Sequence, residues 1–127
     1  MTGSRVQEAG ELVATIRAAL DAAGLPDVIA TVDAGKVASG ARTGIVLVAP
    51  PAITFPTWDA TEATWSLHVV AGSMTNFLAA WQRIDIIIDA LAGAQTLNLD
   101  EAEPSRFATV QGPQTVELPA YTITLNP

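Results

Sequence analysis

Residues 77 to 91, FLAAWQRIDIIIDAL, constrain the fold more than any other stretch of this chain. Three successive isoleucines suit a strand. At about 100° per residue, however, Phe77, Ala80, Trp81, Ile84, Ile87, Ile88 and Leu91 fall within one broad helical arc. An arc that wide predicts a helix from about residue 74 to 92 packed on a sheet, with Gly72-Ser73 capping its start and Gly93 meeting its end. Gln82, Asp85 and Asp89 share the opposite side, where Leu78 and Ile86 also stand. Two carboxylates one turn apart can approach a hard cation, but no adjacent motif supplies the further oxygen ligands it needs. A solvated stripe accounts for them, and the two aliphatic residues among them suit a subunit contact.

Such a helix needs a sheet to cover it, and the rest of the sequence supplies strands. Ser4-Arg5-Val6-Gln7 has the form of a capping box and opens a first helix over residues 5 to 23. Val6, Val13, Ile16 and Leu20, with Ala9 and Ala19 beside them, mark its core face. Gly24 fits a left-handed cap, with Pro26 preventing continuation. From Asp27 the period changes. VIATVD, GIVLVAP and AITF are short and β-branched or continuously apolar, as strands are. Between the first two, AGKVASGART lacks any period and predicts a mobile loop carrying Lys36 and Arg42. Residues 63 to 71, ATWSLHVVA, alternate, with Trp65, Leu67 and Val69 on one face and Thr64, Ser66 and His68 on the other. After the second helix come an acidic loop, QTLNLDEAEPS, a strand, SRFATVQG, and a closing strand, LPAYTITLN, with Tyr121, Ile123 and Leu125 on one side. Pro119 lacks an N–H and belongs at that strand's start or on a sheet edge. The expected fold is α+β: an antiparallel or mixed sheet of about five strands with two helices packed on one face, in one domain over residues 1–127.

Composition narrows what such a domain does. Half of the 127 residues are apolar and only 15% are charged, against a usual quarter. That thin polar cover implies burial against other subunits. Thirteen acidic against six basic residues give a net charge of −7, which repels phosphate backbones and argues against nucleic-acid binding by charge. The chain has no cysteine, which removes disulfides and thiolate zinc sites. The start has no apolar signal core, and Pro50, Pro51, Pro56, Asp85 and Asp89 interrupt the longest apolar runs. A soluble, cytosolically made chain with no membrane contact is expected.

Candidate chemistry is sparse. His68 is the only histidine, and Ser66 shares its strand face. Positions two apart on a strand stand too far apart for a direct bond, and no G-x-S-x-G elbow is present. One histidine without cysteine leaves too few typical zinc ligands. Gly35-Lys36 is followed by Val37 where a phosphate loop needs Ser or Thr. Gly35, Gly40 and Gly44 are spaced too widely for a dinucleotide fingerprint. Trp65 and Trp81 fall on expected core faces, and Trp58 lies at the end of a proline-bounded strand.

In order and spacing, AALDAAGLP, VDAGKV, GIVLVAPPAITF, TWSLHVVAG, IIDALAG, AEPSRF and LPAYTITL together resemble the small tail terminator proteins of long-tailed phages of actinobacteria. The resemblance covers nearly the whole chain. It implies a structural virion protein of the tail and neck, made in the host cytoplasm. Such subunits form a closed homo-hexameric ring that caps the last tail-tube ring and offers a docking surface to the head. The implied partners are further copies of the chain, the tail tube protein and a head-to-tail connector protein. DNA would pass through the lumen without specific binding, and no catalysis, cofactor or metal is implied. Another head-to-tail connector of the neck is the alternative, followed by a small enzyme or ligand-binding domain using Ser66 and His68. The candidate ring contacts are the 35 to 44 loop with Lys36 and Arg42, the Phe55 to Trp58 corner, and Leu78 with Ile86, joined patch to different patch.

Overall fold

Helix α1 (Ser4–Ala22) ends where Gly24 takes φ +77 in the computed structural model, which describes residues 4–37, 41–72, 74–94, 97–111 and 113–126. Gly24 donates its N–H to the Asp21 carbonyl at 3.1 Å and Leu25 donates to Leu20 at 2.9 Å. These two bonds form a Schellman end, as Gly24 led us to expect, and they turn Leu25 into the core. The Ser4 side chain of the expected capping box lies outside the described residues.

Seven strands and a second helix follow: β1 (Ile29–Thr31), β2 (Ile45–Val48), β3 (Ala52–Thr57), β4 (Ala60–Thr64), β5 (Ser66–Val70), α2 (Phe77–Ala92), β6 (Leu99–Gln111) and β7 (Gln114–Leu125). Five strands make a mixed sheet in the order β1-β2-β5-β7-β6, with β1 parallel to β2 and the remaining pairs antiparallel. β3 and β4 form a separate two-stranded sheet. The fold is α+β with both helices on one sheet face.

Strand alternation builds two cores. Val46, Val48, Leu67, Val69, Ile123 and Leu125 face the helices and meet Ile16, Leu20, Ile84, Ile87 and Leu91. Ile45, Leu47, Val70, Leu118 and Ala120 point to the other face, where Val37 and Ala41 cover them. The segment expected to be a mobile loop therefore seals half of the sheet. Within it, Ala34–Lys36 form a single tight helical turn, capped by the Asp33 side chain, which accepts from the Gly35 N–H at 2.9 Å. The tripeptide 38–40, including Gly40, lies outside the described residues. Arg83 ties α2 to the loops at one end of the sheet, donating to the Thr43 carbonyl at 2.8 Å and pairing with Asp27 at 2.9 Å.

Several local expectations change. Val6 is 77% exposed, because the first turn of α1 runs past the sheet. Phe77 and Trp81, assigned to the core by their helical angle, are half-exposed. The alternating stretch 63 to 71 is two strands: Thr64 closes the small sheet and Ser66 opens β5, while Trp65 between them packs on the core. The acidic loop is the first half of β6, paired from Leu99↔Leu125 onward. Pro119 lies inside β7 rather than at its start. Its carbonyl accepts from Ala71 N–H at 3.4 Å, so its missing N–H also faces the β5 side, just past the last residue of that strand. Ser73, expected to cap α2, lies outside the described residues, and Asn76 at the N-cap makes no side-chain capping bond. Gly93 ends the helix in right-handed rather than left-handed geometry, with φ −73. Gly72 (φ +68) makes the tight β5–α2 turn, where an added Cβ would lie 2.6 Å from Ala80 Cβ.

Candidate functional site

The small sheet stands out from the body of the molecule. Residues 52–62 are all exposed, Phe55 at 73% and Trp58 at 97%. Thr57 and Ala60 pair across its tip, and Thr57 Oγ1 donates to Asp59 Oδ1 at 2.9 Å. Beside its base, Arg5 of α1 donates to Thr61 Oγ1 at 3.2 Å. A lone two-stranded hairpin is marginally stable in water, and here it leaves two aromatic side chains uncovered by the described residues.

A second apolar zone follows α2. Leu78 is 61% and Ile86 51% exposed, among exposed Gln82, Asp85 and Asp89. At the start of the same helix, the rings of Phe77 and Trp81 lie 6.4 Å apart. They line an apolar groove of ≈ 330 Å³ with Ile84, Pro104, Pro119 and Tyr121. Sequence reasoning missed this groove because it placed Phe77 and Trp81 in the core. The available signal was the pair of prolines, each marking a place where a strand ladder stops or has an open side.

Lys36 and Arg42 are exposed on the segment that covers the opposite sheet face. The six residues singled out in the sequence thus lie in three regions: the hairpin, the outer side of α2, and the segment over the second core. The groove joins the second of these and adds Phe77 and Trp81 to it.

Ser66 and His68 sit on the sheet face opposite the helices, beside the second core. His68 Nδ1 lies 3.2 Å from Thr122 Oγ1, and Thr122 Oγ1 donates to Ser105 Oγ at 3.0 Å. Which of the two groups donates follows the imidazole tautomer. Partial burial lowers the His68 pKa, favouring the neutral ring. Phe107 meets the ring edge-on at 5.8 Å. Ser66 takes no part in these bonds, in keeping with the strand spacing that argued against a direct Ser66–His68 bond; His68 meets Thr122 and, through it, Ser105. Nearby on β6, a hydrogen bond with Glu103 and repulsion from its charge raise the Glu101 pKa.

Among the described residues, no group of three or more His, Cys, Asp or Glu side chains is placed to share a metal ion. Among the same residues every buried side-chain nitrogen and oxygen has a hydrogen-bond partner, and no helix is long and apolar enough to cross a membrane. No family model matches this chain, and no curated protein matches it.

Proposed function

We propose that the chain is a structural subunit of a phage tail, a tail terminator that assembles into a ring, caps the tail tube and joins it to the head. The observation that carries this reading is the projecting β3–β4 hairpin, whose Trp58 is 97% exposed, with no cover from the described residues. Large exposed apolar patches on a small domain mark contact surfaces. The exposed Leu78 and Ile86 and the low charged fraction support the same conclusion. The resemblance in order and spacing to actinobacteriophage tail terminators selects this assembly among ring-forming ones.

The expected partners are further copies of the chain, the tail tube protein and a head-to-tail connector. Light scattering across a concentration series tests the ring: the expected mass is a fixed multiple of 13.2 kDa, six for a hexamer. A mass of one subunit, both in free solution and in the presence of tail tubes, would count against it. A neck connector is the alternative within the same class. Binding to isolated portal vertices with no binding to tube ends would select it.

A further inference from the structure

We infer that the β3–β4 hairpin of one copy seats Phe55 and Trp58 in the groove between α2 and the β6–β7 hairpin of the next copy. This rests on the ring-subunit reading above and names the two patches that meet.

Four aromatic side chains are large and exposed among the described residues: Phe55, Trp58, Phe77 and Trp81. They form two patches at opposite ends of the sheet. The hairpin leaves the sheet at Val48 and Ser66, whereas Tyr121 and Ala120 of the groove pair with Val69 and Val70 at the far end of β5. The Arg5–Thr61 bond holds the hairpin beside the start of α1, and the end of α1 lies at the groove end of the sheet, where Arg17 donates to the Val28 and Leu25 carbonyls. At ~3.3 Å per residue, β5 alone separates the two ends by roughly 13 Å, before the length of the hairpin is added. A molecule's own tip is therefore remote from its own groove, and a neighbour's tip supplies the exposed aromatic surface to fill it.

Charge points the same way. Residues 50–64 carry Asp59 and Glu62 and no Lys or Arg. The groove is bordered by Arg106, which stands directly across from Pro119 and two residues from Pro104 on the same strand face. The Arg106 side chain is 65% exposed, and its pair with Glu117, at 3.1 Å, is equally open to water. Such a surface pair contributes little and yields readily to a better-shielded partner. An acidic, aromatic tip therefore meets an aromatic groove with a cation at its rim.

The contact joins unlike patches, so each copy gives one hairpin and receives one, which is the head-to-tail geometry that closes rings. Two aromatic side chains bury about 150–250 Å² each, short of the roughly 800 Å² per partner of a standard stable interface. One contact alone is weak, and a subunit in a closed ring has two.

The absence of cysteine allows a direct test. Asp59→Cys and Arg106→Cys are made separately at exposed positions and mixed under mild oxidation. The expected product is a disulfide-linked dimer in the mixture, little in either variant alone, and a ladder ending at the ring number when both changes are in one chain. No cross-link in the mixture, or equal cross-linking in either variant alone, would overturn the contact. Trp58→Ala removes an almost fully exposed side chain, so the monomer should keep its circular dichroism while the concentration for assembly rises at least tenfold. If Trp58→Ala assembles like the parent, this contact is wrong and the ring stands on other surfaces. If the parent chain is monomeric alone and on tail tubes, the ring reading falls with it.

Discussion

Ile86 and Ile87 are adjacent in sequence and opposite in environment: Ile86 is 51% exposed and Ile87 fully buried. Ile87→Ala should cost about 2–5 kcal/mol in urea unfolding of the monomer, since it opens a cavity between α2 and the sheet. Ile86→Ala should stay within about 0.5 kcal/mol in the same measurement. Helical angle alone separated these two residues in the sequence. The same angle failed for Phe77 and Trp81, because it reports the direction a side chain points and not how far the sheet extends beneath it. His68 supplies a pH dependence. Burial lowers its folded-state pKa, so the unfolded chain binds the proton more readily. Its contribution is fully present above the unfolded value near 6.5 and is lost as pH falls toward the lower folded value. The melting temperature should drop as pH is lowered through that window, and His68→Gln should flatten the drop; an unchanged slope would sink this assignment. Glu101 acts with the opposite sign, its raised pKa favouring the folded chain below 4.5 and losing that effect as pH rises through the folded value.

At the scale of elements, the helices and β5 were legible because each carries a one-sided apolar pattern, and β2 because it is a continuous apolar run buried on both faces. β6 was not. Asp100, Glu101, Glu103 and Pro104 give its first half the composition of a loop, yet the strand is an edge that lies mostly in water and is held by its ladder with β7 from Leu99↔Leu125 to Gln111↔Gln114. An edge strand needs no buried run, and so leaves little trace in the pattern. The 35 to 44 segment hid its role for a related reason: only Val37 and Ala41 turn inward among small residues. The candidate contact elements were half legible, since Phe55 and Trp58 stood out on either side of Pro56 while the groove needed two strands and a helix to be brought together. The hairpin also carries a dynamic expectation. In the free chain, amide exchange in β3 and β4 should be far faster than in β5 and β7, because local opening there uncovers no core. Assembly should slow exchange at the hairpin tip selectively, and equal protection in both states would mean that the tip stays free in the ring.

For the whole molecule, an α+β body with two filled cores still leaves Phe55, Trp58, Phe77, Leu78, Trp81 and Ile86 in contact with water. A chain that is half apolar, with a net charge of −7, has limited means of covering such surfaces by itself. In the proposed ring, neighbouring copies cover them, and repeated head-to-tail contact closes the assembly around a lumen. The sequence conveyed this surplus through composition but not its location, which depends on where each helix overhangs the sheet. The proposed ring belongs at the end of a phage tail tube. The decisive measurement is negative-stain imaging of the purified chain mixed with isolated actinobacteriophage tail tubes. The expected images show one ring capping one end of each tube, and no caps when the Trp58→Ala variant is used. Bare tube ends at saturating parent protein, or equal capping by the variant, would rule out a ring seated there through Trp58.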